Sequence, residues 1–115
     1  LVDKKRMNLM PGKQGGIECG NHIVNCARGG IIDEVALLTA LENGTVTSAA
    51  LDVFEVEPVT TENKLIQHPN FHGTPHIGAA TKEAQSRVGL DIAAAVIEAL
   101  SGKKPQTLVN GKYLD

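Results

Sequence analysis

Aromatic side chains are almost missing from this chain: there is no Trp, one Tyr and two Phe, 3% of the residues. Any core must therefore be packed from Ala, Val, Leu and Ile. Cysteine is scarce as well. Two thiols, Cys19 and Cys26, are too few for a disulfide framework, and reduced thiols in an intracellular protein are the simpler expectation. No apolar run is long enough to span a bilayer and no signal-peptide pattern opens the chain, so no membrane partner is expected. A net charge of −2 lacks the basic excess of a non-specific nucleic-acid binder, which excludes that partner too. Phosphate-binding signatures are absent: no glycines stand in the order G-x-G-x-x-G, and Gly12-Lys13 and Gly111-Lys112 lack the rest of a P-loop. A metal site is not expected either. His68, His72 and His76 recur every fourth residue, but Pro69, Gly73 and Pro75 forbid a regular helix there. Cys19-x-x-His22 with Cys26 wants a fourth ligand.

What remains is an ordinary soluble composition, 42% apolar and 21% charged over 115 residues, enough for one domain at most. The stretch Ile23 to Gly30 organises it. Its first five residues read as a short buried strand, and Arg28 then arrives at the strand's carboxyl end, followed by Gly29 and Gly30. A guanidinium there offers a planar fork to a carboxylate, and glycines let backbone and ligand approach closely. The plain alternative is that Arg28 caps a surface turn. Asp33 is a good N-cap for a helix with an apolar face of Leu37, Leu38 and Leu41, ended by Asn43-Gly44. Val46 to Phe54 follows as a second strand, so the pattern is a βαβ unit with parallel strands and a right-handed crossover. A helical turn is expected near Lys64 to Ile66 and a third strand over Phe71 to Thr74. Thr81 caps a long helix whose Ala84, Val88, Ile92 and Val96 should pack inward, leaving Leu90, Ile97 and Leu100, with Val109, as an exposed apolar patch.

Four groups can carry chemistry: Arg28, Asp52, Glu57 and His76. Each falls at or just after the end of a predicted strand, and a parallel sheet would gather them at one edge. A histidine beside a carboxylate is the usual proton-transfer pair. The competing readings are a strand-end cap for Asp52, a solvated turn residue for Glu57 and a loop histidine for His76.

Three segments together go further. Val24 to Glu34 (VNCARGGIIDE), Ala49 to Pro58 (AALDVFEVEP) and Thr74 to Ala79 (TPHIGA) resemble the D-isomer-specific 2-hydroxyacid dehydrogenases. The run Thr81 to Arg87 is most similar to the members that oxidise 3-phospho-D-glycerate, a step of serine biosynthesis. The resemblance covers roughly residues 20–110 and implies an α/β fold. That fold is part of a doubly wound, Rossmann-like parallel sheet: the second half of an NAD-binding domain plus a long C-terminal helix. The implied organisation is an irregular segment 1–20, a partial NAD-binding domain 21–80, a helix 81–102 leading towards a substrate domain, and a tail 103–115. The implied roles give the catalytic set as Arg28 for the substrate's carboxylate and ketone oxygen, His76 as general acid/base and Glu57 as its orienting partner. Asp52 would bond the nicotinamide side of the cofactor. Cys26, Ala27, Arg28, His76, Gly78 and Ala79 would line the nicotinamide pocket. The implied cofactor is NAD, the partner a small 2-hydroxy or 2-keto acid, the full-length form a homo-oligomer and the location cytoplasmic. The alternative is a truncated, non-catalytic protein that keeps the fold as an interaction module. A fragment without the glycine loop is expected to be inactive alone.

Overall fold

The computed structural model describes residues 1–113. The chain divides into two compact units, one ending at Gly78 and one beginning at Ala79.

The first unit is built on a three-stranded parallel sheet in the order β3-β4-β5. Its elements are α1 (Lys4–Met7), β1 (Lys13–Gln14), β2 (Ile17–Glu18), β3 (His22–Asn25), α2 (Glu34–Glu42), β4 (Ser48–Leu51), a 3-10 turn (Lys64–Gln67) and β5 (Phe71–Gly73). Ile23 pairs with Ala49 and Ala49 with Phe71, and all three are buried on one face of the sheet. With Leu37, Ala40 and Leu41 of α2, Leu65 of the 3-10 turn and Met7, they form one apolar cluster. The expected βαβ unit is present. Asp33 caps α2 by accepting from the Ala36 amide at 2.9 Å, and Gly44 takes φ +77° as the helix ends.

The strands are shorter than the apolar runs foretell. β3 stops at Asn25, because that side chain turns back and accepts from the Ala27 amide at 3.0 Å. β4 begins after Val46, whose amide is taken by the Ala40 carbonyl at 2.9 Å, and it ends before Asp52, whose side chain serves a loop. Val24 was expected in a buried strand but is 71% exposed, since only alternate residues of β3 face the core.

Residues 1–20 were expected to be irregular. They hold α1, capped by Asp3 on the Arg6 amide at 2.9 Å, and the antiparallel pair β1-β2. Met7 is fully buried in the core and Val2 bridges to Ile32, so this segment belongs to the first unit. Residues 1–20 and 21–78 thus pack as one compact unit.

The second unit contains α3 (Lys82–Leu100) and a short 3-10 turn (Gly111–Tyr113). Thr81 caps α3 on the Ala84 amide at 3.1 Å, as the sequence foretells, but no residue of α3 is buried. The expected inward stripe is not buried: Ala84 is half-buried, and Val88, Ile92 and Val96 are 51–61% exposed against 64–84% for Leu90, Ile97 and Leu100. Apolar residues run round most of this helix, and one short turn cannot cover them. Residues 114–115 of the expected tail lie outside the described residues. No helix among the described residues is long and apolar enough to cross a membrane.

Candidate active site

The carboxyl ends of the three strands release the loops that carry the polar groups. After β4, Asp52 is buried to 5% exposure and its carboxylate is fully employed. Oδ1 accepts from the Thr74 hydroxyl at 2.5 Å and the Ile77 amide at 2.8 Å, and Oδ2 from the Gly78 amide at 2.8 Å. The Thr74 hydroxyl first, then the Ile77 and Gly78 amides, hold this carboxyl below its ordinary value. These bonds close a strap around the loop after β5. Inside the strap sits His76 at φ +55°, a left-handed conformation that costs an L residue roughly 1–2 kcal/mol. Asp52 fixes the backbone on either side of His76 and also lines a small cavity beside β4.

Glu57 lies in the turn beyond Phe54. Its Oε1 accepts from the Phe54 amide at 2.9 Å and its Oε2 meets His76 Nδ1 at 2.8 Å. A carboxylate can only accept, so Nδ1 carries the proton, which in the neutral ring leaves the Nε2 lone pair free. The His76 ring first, then the Phe54 amide, hold the Glu57 carboxyl below its ordinary value. A cleft of about 350 Å³ opens on the pair, lined by Phe54, Glu57, Pro58, Val59, Pro75 and His76. Such a cleft can admit a small acid, and a histidine oriented by a carboxylate is the usual proton-transfer pair.

Arg28 is not among the residues lining that cleft. It is exposed, and its guanidinium donates to the Ala27 carbonyl at 2.6 Å. Its loop is shaped by Asn25, which accepts from the Ala27 amide and donates to the Arg28 carbonyl at 2.9 Å. Asn25 escaped the sequence reading. The available signal was a lone amide closing an apolar strand, a residue type that bonds to backbone two positions on. Cys26 and Ala27 are exposed beside Arg28. A smaller cavity of about 100 Å³, lined by Val24, Cys26, Ala50, Leu51, Asp52, His72 and Thr74, opens on the uncovered side of the sheet. Ala79 begins the second unit and is described with it. Among the described residues no group of three or more His, Cys, Asp or Glu could hold a metal ion.

A parallel sheet whose polar groups gather on loops beyond the carboxyl ends of its strands is the arrangement of ligand sites in open α/β folds. Residues 1–78 match the family described as D-isomer specific 2-hydroxyacid dehydrogenase, NAD binding domain, and the chain belongs to that family. Among curated proteins it is 56% identical over 91 residues to D-3-phosphoglycerate dehydrogenase 3, chloroplastic, of Arabidopsis thaliana, covering 79% of this chain and 16% of that one. To the D-3-phosphoglycerate dehydrogenase of Bacillus subtilis it is 54% identical over 91 residues, 79% of this chain and 17% of the other. The chain thus spans about a sixth of the length of these relatives. A solved NADPH-dependent glyoxylate/hydroxypyruvate reductase of Sinorhizobium meliloti, in complex with NADP and malonate, superposes with a TM-score of 0.78. It is 30% identical, over 96% of this chain and 32% of that one. A D-isomer specific 2-hydroxyacid dehydrogenase of Xanthobacter autotrophicus in complex with NADPH gives 0.77 at 29% identity, over 98% of this chain and 43% of that one.

Proposed function

We propose that this chain carries the catalytic half of the nucleotide domain of a D-2-hydroxyacid dehydrogenase that oxidises 3-phospho-D-glycerate with NAD. The observation that carries the reading is the 2.8 Å bond between His76 Nδ1 and Glu57 Oε2, in a chain of this family. The substrate is favoured by the relatives at 54–56% identity, which are D-3-phosphoglycerate dehydrogenases.

The residues present fit one end of the cofactor. Exposed Cys26, Ala27 and Arg28 and the cavity over Val24 and Ala50 suit a flat nicotinamide ring. The pyrophosphate has no glycine loop here. A bound nicotinamide would supply the acceptor for the hydride leaving C2 of the hydroxy acid. The rest is done by this chain. Nε2 of His76 takes the C2 hydroxyl proton while Glu57 stabilises the imidazolium that results. The Asp52 strap keeps the ring's backbone in place. Arg28 leaves the Ala27 carbonyl to hold the substrate carboxylate as a bidentate partner.

The test is a chimera in which residues 20–110 replace the matching segment of the Bacillus subtilis relative. It is expected to reduce NAD with 3-phospho-D-glycerate. His76→Asn, which tolerates the left-handed backbone, and Glu57→Gln should each lower kcat, the former by roughly 10²–10⁴-fold. A folded, NAD-binding chimera that is inactive, or one indifferent to His76→Asn, would sink the reading and favour a non-catalytic interaction module. The 115-residue chain alone is expected to give no NADH.

A further inference from the structure

The turn that carries Glu57 is gripped from the segment that carries Arg28. One peptide unit, joining Phe54 to Glu55, is bonded at its N–H end and closely packed at its carbonyl end. Its carbonyl oxygen lies so close to Gly29 that a Cβ there would come within 1.8 Å of it. Its N–H, that of Glu55, donates to Glu34 Oε1 at 2.6 Å. The next N–H upstream, that of Phe54, is the one that holds Glu57 Oε1. Glu34 Oε2 accepts from Asn63 Nδ2 at 3.0 Å, and Asn63 Oδ1 in turn caps the 3-10 turn on the Leu65 amide at 3.0 Å. One carboxylate thus joins the start of α2, the Glu57 turn and the far end of the loop that follows it. Gly29 was expected to make room for a ligand. The atom it makes room for is the Phe54 oxygen.

We propose that Glu34, with Gly29, is a positioning residue that sets the Glu57–His76 pair in register with the Arg28 loop. Neither touches the reacting atoms. Arg28 and Gly29 lie on the connection between β3 and α2, and Glu34 opens α2 at its end, so movement of that connection shifts the arginine and the glutamate turn together. Without the grip, the Phe54–Glu55 peptide is free to rotate, and the Phe54 Cα, which it shares with the peptide whose N–H orients Glu57, loses its anchor. Misplacement of about 1 Å at a reacting group can cost on the order of 100-fold in rate. Length rather than charge is what the contact needs. Gln keeps an oxygen at the right reach; Asp keeps the charge at the helix N-terminus but falls short by one methylene.

The proposal rests on the acid/base role given to the pair, so its test has two arms. In the full chain, the Glu57 carboxyl is titrated by carbon NMR in Glu34→Asp and Glu34→Gln. Glu34→Asp is expected to move it up towards its ordinary value, and Glu34→Gln to leave it in place. In the chimera, Glu34→Asp should lower kcat about tenfold with KM changed less than twofold, and Glu34→Gln should stay within about threefold of the parent. Gly29→Ala should reproduce the loss. Overturning results are an unmoved Glu57 titration in Glu34→Asp, or a Gln variant as impaired as the Asp variant. If the parent chimera is inactive, the catalytic reading fails, and the titration arm still decides whether Glu34 positions Glu57.

Discussion

Ile23 and Val24 are consecutive, equally apolar residues of β3 with opposite surroundings. Ile23 is 9% exposed and faces Leu37, Leu41 and Phe71; Val24 is 71% exposed on the other side of the sheet. The same contrast recurs at Phe71 against His72, and more weakly at Ala49 against the half-buried Ala50. Parallel strands are normally covered on both faces and therefore carry apolar residues on both. Here one face has its cover, α2 and the 3-10 turn, and holds the fold together. The other face, with the loops at the carboxyl ends, holds the polar groups and the cavities. A strand's sequence says it suits burial; a neighbour decides whether burial happens.

The sharpest way to break that contrast is on the covered face. Leu51→Ala removes a 2%-exposed side chain from the cluster and should cost about 2–5 kcal/mol, read as a lower urea midpoint of the full chain. An effect below about 1 kcal/mol would mean that the cluster is not the source of stability.

A smaller effect, visible chiefly through pH, is expected at the strand ends. Folding lowers the carboxyl pKa values of Asp52 and Glu57 below their ordinary 3.8 and 4.5. Their contribution is complete above those unfolded values and disappears as the pH falls through the lower folded ones. Stability should therefore decline on acidification below about pH 4, and Asp52→Asn should be less stable at neutral pH with a flatter acid profile. Chemical unfolding at a series of pH values checks both. An acid profile in Asp52→Asn as steep as in the parent would contradict the strap.

The smallest effect belongs to the open face. Val24→Thr keeps the shape and the β propensity and should change stability by no more than about 0.5 kcal/mol. Melting that depends on protein concentration, and is altered by Val24→Thr, would show that a second copy covers this face in solution.

Much of the local plan was legible. The caps at Asp33 and Thr81, the stop at Gly44 and the order strand, helix, strand all followed from side-chain chemistry acting within a few residues. The pairing of Glu57 with His76 was legible only through the family resemblance, because 18 residues separate the two and no periodicity relates them. Residues 1–20 were misjudged because Met7 and Val2 find their partners far along the chain. The long helix misled for the reverse reason: its every-fourth-residue pattern names a face but supplies nothing to cover it.

The sequence by itself determined where elements begin and end, which residues are fit for a core, and which four polar groups were worth following. Only the tertiary structure decided what those groups do. Asp52 became a strap because β4 delivers it beneath Thr74, Ile77 and Gly78, whose donors a buried carboxylate must collect. Gly29 turned out to accommodate a carbonyl, and Glu34 to grip the same peptide unit, because the Arg28 connection crosses the Phe54–Glu57 turn. Bonds between residues some twenty positions apart are set by where the chain brings them. That is fixed by the packing of the whole unit, and no short stretch of sequence contains it.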